Sequence, residues 1–168
     1  RIEQMRWETL RGRFEGNFNP SSILTLLNRD LLDSGLDKHI TLFIGILAQS
    51  DNTLTYSVAG HHPLPILYQG GKAEQIPLAK SSFPVGLFAG AAYFDEKIAL
   101  EEDFALMLFS DGILEYLRQE SMAAKEDYLR EQVVAHKGDF LSIKNALSLN
   151  KSINVPDDIA VLSVTYAS

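Results

Sequence analysis

The sequence has no cysteine, and no apolar run in its 168 residues approaches the length of a membrane-spanning helix. The absence of cysteine excludes disulfide bridges, a thiolate zinc site and a cysteine nucleophile. A helix needs about 20 consecutive apolar residues to cross a bilayer, and the charges among the first eight residues do not suit a signal peptide. The sequence therefore predicts a soluble, cytoplasmic protein that does not associate with membranes.

Basic residues are in the minority, with 15 Lys and Arg against 22 Asp and Glu, which gives a formal charge of −7. A nucleic-acid or anionic-membrane binder needs a basic footprint, so we expect neither partner. A divalent cation or a basic protein surface fits the charge better, although such a balance is also ordinary for a soluble domain. The length and the 46% hydrophobic content predict one globular domain over residues 1–168.

Hydrophobic periodicity predicts helices and strands without regular βαβ alternation. One helix begins at Asn19-Pro20 and ends at Gly35, where the capping residues and an apolar stripe agree. The other predicted helices cover residues 2–15, 111–117, 123–136 and 140–149. The predicted strands cover residues 40–47, 53–58, 65–68, 73–76, 93–100, 104–109 and 158–165. The short turn at residues 50–52 predicts that the first two strands pair antiparallel, and Gly70-Gly71 predicts a tight hairpin between 65–68 and 73–76. The continuous apolar run 40–47 is expected to be buried on both faces, and the whole pattern indicates an α+β fold with mostly antiparallel sheets.

Two carboxylate motifs lie at the ends of predicted buried strands. Asp111 follows the strand 104–109 and precedes Gly112, whose lack of a side chain permits a sharp turn or a close approach. Asp157 and Asp158 stand immediately before the last strand. Such carboxylates suit hard divalent cations such as Mg²⁺ and Mn²⁺. Taken singly, the structural alternative is the commoner one: Asp111 caps a helix, and Asp157 and Asp158 form a turn.

Two adjacent histidines, His61 and His62, form a third candidate site. Neighbouring residues of a strand point to opposite faces, so the pair is poorly placed to bind one metal ion. A hydrogen-bonded structural role is the better expectation, and His61 is expected to shape a site at most indirectly.

The order of four motifs is more informative than any one of them. The motifs are Ala59-Gly60-His61-His62-Pro63, Phe83-Pro84-Val85-Gly86-Leu87, Phe109-Ser110-Asp111-Gly112-Ile113-Leu114-Glu115 and Pro156-Asp157-Asp158-Ile159-Ala160-Val161-Leu162. With these motifs in this order, the chain resembles the PP2C-like serine/threonine phosphatases of the bacterial sporulation stage II E and RsbU type over about residues 7–166. Asn28 also lies in a stretch that matches this family's Leu-Asn-x-x-Leu element.

The resemblance implies a sandwich of antiparallel sheets flanked by helices, and hydrolysis of phosphoserine or phosphothreonine by metal-activated water. It also implies two Mn²⁺ or Mg²⁺ ions. Asp111 and Asp157 would be catalytic metal ligands, Gly112 would allow close backbone approach at the metal site, and Asp158 would be an auxiliary ligand. The implied substrate is a phosphorylated, anti-anti-sigma-factor-like protein. A fused sensor or receiver domain and a homodimer are further expectations for this signalling class.

One element of the family pattern has no counterpart in the sequence. In the family, an Asp-x-Ser-Gly-His motif precedes the first long helix, which the stretch Met5–Phe14 resembles. The residues before this stretch, Arg1–Gln4, contain no Asp, Gly or His. The first strands of the sheets also have no counterpart. Either the chain is the C-terminal part of a longer regulator, or it is a variant without the bridging aspartate. The second case makes it a pseudophosphatase that binds proteins or mediates dimerisation. Ser110 also replaces the family's usual Thr.

Overall fold

The computed structural model describes residues 18–149 and 157–166. The chain folds into two compact units, one holding residues up to Gly60 with Leu78–Ile98, the other His61–Pro77 with the residues from Ala99 onward. The predicted helix over residues 2–15 lies outside the described residues. The elements are α1 Pro20–Asp33, β1 Leu42–Ala48, β2 Thr53–Ala59, β3 Ile66–Gln69, β4 Lys72–Gln75, β5 Glu96–Ala99, β6 Phe104–Phe109, α2 Gly112–Tyr116, α3 Met122–Ala135, α4 Phe140–Ala146 and β7 Val161–Tyr166.

In the first unit, α1 packs against the β1–β2 hairpin. The helix begins as predicted: Asn19 is the N-cap, and its side chain accepts a hydrogen bond from the amide of Ser22. Leu24 is fully buried in a cluster with Ala59, Val85 and Tyr93. β1 and β2 pair antiparallel in a sheet of order β1-β2-β5. The sequence predicted both the helix and this pairing.

The prediction that β1 is buried on both faces is wrong. Leu42 and Ile44 pack against the α1 cluster, but Gly45 and Leu47, which alternate with them, are exposed. The side chains of a strand alternate between the two faces of a sheet, and α1 covers only one of those faces. A continuous apolar run therefore did not distinguish one covered face from two.

The strand predicted over residues 93–100 is shorter than expected, because β5 begins only at Glu96. The Asp95 carboxylate accepts hydrogen bonds from the amide and the hydroxyl of Ser21, at 2.7 and 2.9 Å. Tyr93 is buried against α1. These long-range contacts hold residues 93–95 at the start of α1 rather than in a ladder.

The second unit contains a four-stranded sheet of order β4-β3-β6-β7, in which every neighbouring pair is antiparallel. β3 and β4 form the predicted hairpin. Gly70 and Gly71 occupy its turn with φ of 56° and 76°, the left-handed conformation that a two-residue hairpin turn requires. β6 lies between β3 and β7 and ends at Phe109, directly before the first carboxylate motif.

Helices α2, α3 and α4 bury one continuous core against this sheet, centred on Met107, Phe109, Ile113, Leu129 and Val133. Ser121 caps α3 by accepting from the amide of Ala124, and Asp139 caps α4 by accepting from the amide of Ser142. The predicted α+β class, with antiparallel sheets and flanking helices, is confirmed. Among the residues described, no helix is both long and apolar enough to cross a membrane.

Candidate metal and phosphate site

The first carboxylate of the site stands where β6 passes into α2. Asp111 is the N-cap of α2, and its Oδ1 accepts a hydrogen bond from the amide of Gly112 at 3.1 Å. This is the capping role that the structural alternative predicts. It occupies one carboxylate oxygen, and Oδ2 has no hydrogen-bond partner among the residues described. Because Asp111 is exposed, that oxygen is accessible to a ligand.

The Asp157-Asp158 motif lies beside the Asp111 turn, because Ser110 joins the loops that carry these two motifs. Ser110 Oγ donates to the carbonyl oxygen of Asp158 at 3.1 Å and accepts from the amide of Ala160 at 2.8 Å. The Ser110 amide donates to the Ala160 carbonyl at 2.9 Å. Asp157 Oδ1 accepts from the amide of Asp158 at 2.8 Å, which is a turn contact. Sequence reasoning treated Ser110 only as a replacement for Thr and missed this connection.

Gly112 is a second point of close approach between the two loops. A Cβ added to it would lie 2.5 Å from the Asp158 carbonyl oxygen and 3.3 Å from that of Asp157. The neighbouring atoms belong to the backbone, so they cannot move aside as a flexible side chain can. Gly112 therefore allows the β6–α2 turn to pack directly on the backbone of residues 157–158, and both motifs are held in one place.

His61 and His62 extend this cluster in different ways. His61 Nε2 is buried and has no hydrogen-bond partner among the residues described, so the expected hydrogen-bonded role is not found for that atom. Burial lowers the pKa of His61, while the nearby Asp111 carboxylate opposes that shift. His62 Nε2 instead lies 3.5 Å from Glu126 Oε1 on α3. The two imidazoles therefore lie in different surroundings, and both follow the end of β2 at Ala59 rather than lying on a strand.

In the other unit, Asn28 connects α1 to the motif at residues 83–87. Its side chain is buried, accepts from the amide of Gly86 at 2.7 Å and donates to the carbonyl of Phe88 at 3.2 Å. Sequence reasoning did not assign this role. The available signal was a polar residue four positions after Leu24, within the apolar stripe of the helix. Such a residue is buried only with partners.

The chemistry of the donors fits a hard divalent cation. Asp111, Asp157 and Asp158 offer carboxylate oxygens, and the 157–158 turn offers backbone carbonyls, all of which Mg²⁺ and Mn²⁺ accept. Asp111, Asp157 and Asp158 are exposed at the surface of one unit. Within residues 18–149 and 157–166, no group of three or more His, Asp or Glu side chains is arranged to hold a metal ion. The described part of the chain thus presents carboxylates on two joined loops.

The family model described as "Stage II sporulation protein E (SpoIIE)" matches residues 5–167, nearly the whole chain. The chain belongs to the SpoIIE family. This places it among the PP2C-like phosphatase domains and confirms the resemblance that the four motifs indicated. The SpoIIE-family chain has no significant match among curated proteins.

Solved structures show that the SpoIIE-family chain has the PP2C fold. The phosphatase domain of SpoIIE from Bacillus subtilis, presoaked with Mn, aligns with a TM-score of 0.67 and 18% identity over 95% of this chain and 71% of its own length. The RsbU and RsbW domains of a Mycobacterium tuberculosis protein align with a TM-score of 0.73 and 20% identity, over 99% of this chain and 48% of that one.

A third relative is RsbX in complex with magnesium, with a TM-score of 0.58 and 16% identity over 85% of this chain and 64% of its own. At these identities the likeness concerns the fold alone. The SpoIIE-family chain therefore spans between about half and three quarters of these three structures. Two of the three were prepared with manganese or magnesium.

Proposed function

We propose that the SpoIIE-family chain is the phosphatase domain of a metal-dependent protein serine/threonine phosphatase. Its substrate would be a phosphorylated regulatory protein resembling an anti-anti-sigma factor. The observation that carries this proposal is that the two carboxylate motifs lie side by side. The hydrogen bonds of Ser110 Oγ and the close backbone packing at Gly112 hold the Asp111 turn against the turn at residues 157–158. Membership of a phosphatase family supplies the reaction class.

In this proposal the residues of the chain position the metal ions and form no covalent bond with the substrate. Asp111 and Asp157 would hold Mn²⁺ or Mg²⁺, and Asp158 would be an auxiliary ligand. Ser110 and Gly112 fix the spacing of the two turns, which matters because catalysis depends on geometry at the ångström scale. When bound, such cations supply an activated water and neutralise the phosphoryl oxygens.

The alternative function is that of a pseudophosphatase, a protein-binding or dimerisation module in the same kind of signalling pathway. The observation in its favour is that the described residues hold no group of three metal-ligating side chains. Two measurements on the full-length protein separate the alternatives. Mn²⁺ binding followed by electron paramagnetic resonance reports the metal site directly, and phosphate release reports turnover.

The experiment measures phosphate release by the full-length protein from a phosphorylated anti-anti-sigma-factor-like substrate, with and without Mn²⁺. We expect manganese-dependent release by the wild type and a fall to the metal-free rate in Asp111→Asn and Asp157→Asn. Asp127→Asn is the matched control, because this exposed aspartate lies on α3 and pairs with Arg130. Retained manganese-dependent hydrolysis in both site variants would refute the assignment, and absence of both binding and hydrolysis in the wild type would favour the pseudophosphatase.

A further inference from the structure

A cavity lies in the same unit as the two carboxylate motifs, beyond the end of α2. It has a volume of about 280 Å³ and is lined by the α2–α3 connection, by Tyr128 of α3 and by the residues that end α4. Tyr116, Arg118 and Gln119 contribute from the α2–α3 side, and Ser148 contributes from the other. The lining therefore combines aromatic rings with polar and charged groups, as ligand sites commonly do.

Two polar groups in this cavity have no partner among the residues that the structure describes. Gln119 Oε1 is buried and accepts no hydrogen bond from the residues described. A buried acceptor without a donor is unfavourable, and a turn of the Gln119 side-chain amide toward the cavity would let a ligand contribute the donor. Arg118 is exposed and forms no ion pair within the described part of the chain, although Glu115 and Glu120 are close to it in sequence.

The cavity stands close to the proposed reaction site along the chain. Asp111 precedes the first residue of α2, and Tyr116 is its last residue. A helix rises 1.5 Å per residue, so this five-residue helix spans about 7–8 Å. An extended polypeptide advances about 3.3 Å per residue. A substrate segment whose phosphorylated residue lies at Asp111 would thus cover that distance with two to four residues.

We propose that this cavity is a specificity subsite for the substrate polypeptide and takes an acidic side chain two to four residues away from the phosphorylated residue. The proposal rests on the phosphatase function proposed above. The acidic side chain pairs with the Arg118 guanidinium, which is suited to bidentate contact with a carboxylate. A backbone N–H of the same segment donates to Gln119 Oε1. A peptide is the ligand class that offers both an anion and an N–H donor at this spacing.

The test uses the full-length protein and pairs of phosphoserine peptides that differ only by Glu or Gln at one position, scanned over five residues on each side. In the wild type we expect KM to be about tenfold lower for the Glu peptide at one position two to four residues from the phosphoserine, because a charge-assisted contact is worth about that factor. Arg118→Gln should abolish this preference and leave kcat and the hydrolysis of p-nitrophenyl phosphate unchanged. Arg130→Gln, on α3 and outside the cavity, is the matched control and should keep the preference.

Equal KM values for Glu and Gln peptides at every position would overturn the proposal, as would a preference that survives in Arg118→Gln. Fluorescence anisotropy of the same peptides, measured without turnover, separates this failure from failure of the phosphatase function. If the wild type releases no phosphate but still prefers one Glu peptide in Kd, and Arg118→Gln loses that preference, the subsite stands without the enzyme. If no peptide pair differs in Kd, the subsite is refuted. Gln119→Leu should weaken the Glu and Gln peptides equally, since its partner is the backbone.

Discussion

Replacing Gly112 by alanine is the sharpest perturbation of the junction between the two carboxylate turns. The added Cβ would meet the Asp158 carbonyl oxygen at 2.5 Å and its carbonyl carbon at 3.1 Å. Real Cβ contacts rarely fall below about 3.0–3.4 Å, so the backbone of residue 158 must retreat by roughly 0.5–0.9 Å. Because the obstacle is backbone, no rotamer change can relieve the overlap.

This displacement has two consequences of different size. Overpacking of this kind costs about 1–3 kcal/mol of unfolding free energy, and the better helix propensity of alanine offsets up to about 1 kcal/mol of it. We therefore expect a net loss of about 1–2 kcal/mol. The effect on catalysis is larger, since a 1 Å misplacement of reacting groups can cost about 100-fold in rate. Gly112→Ala should thus remain folded and lose about two orders of magnitude in kcat.

The assay pairs urea unfolding with manganese-dependent phosphate release by the same full-length protein. Gly90→Ala is the matched control, because the nearest neighbour of its added Cβ is the exposed Phe88 ring at 3.3 Å. It should change neither quantity appreciably. Full activity in Gly112→Ala would refute the reasoning, because the close approach of the two turns would then be unnecessary.

Three further predictions concern other contacts. Ser110→Ala removes the hydroxyl that accepts from the Ala160 amide, so it should lower the unfolding free energy by about 1 kcal/mol in urea and weaken Mn²⁺ binding. Ser110→Thr keeps a hydroxyl and should retain both the stability and the Mn²⁺ affinity. Unchanged Mn²⁺ affinity in Ser110→Ala would contradict this prediction. Asn28→Ala leaves the Gly86 amide without its acceptor and should lower the unfolding free energy by about 2–3 kcal/mol in urea. A loss below about 0.5 kcal/mol would show that the Asn28 hydrogen bonds do not hold the loop at residues 83–88. Burial raises the pKa of Tyr56 to about 12, so the folded state favours the protonated phenol, and the unfolding free energy should fall as pH rises from about 10 toward 12. Tyr56→Phe should make this fall with pH less steep. An equally steep fall in Tyr56→Phe would contradict the attribution to Tyr56.

The sequence was sufficient for the elements whose signals are local. Asn19-Pro20 and the apolar stripe predicted α1, Gly70-Gly71 predicted the hairpin turn, and the apolar run 104–109 predicted β6 residue for residue. In each case capping or turn chemistry within a few residues decides the backbone conformation. The order of the four motifs also indicated the correct family.

What could not be predicted depends on contacts between residues distant in sequence. The start of β5 is set by Asp95 and Ser21, which are 74 residues apart, and the burial of β1 depends on which face α1 covers. The Ser110 hydroxyl contacts Asp158 and Ala160, which are 48 and 50 residues away in the sequence. No local pattern reports such pairings. The roles of Asp111, Gly112, Asp157 and Asp158 at a metal ion remain predictions, now with a geometry that can be tested.

The most direct test of the central proposal is manganese-dependent phosphate release by the full-length protein, measured for the wild type, Asp111→Asn, Asp157→Asn and the control Asp127→Asn. The proposal predicts release by the wild type and the control, and none above the metal-free rate in the two site variants. Undiminished release in Asp111→Asn and Asp157→Asn would contradict it, because the two joined turns would then not hold the catalytic metal.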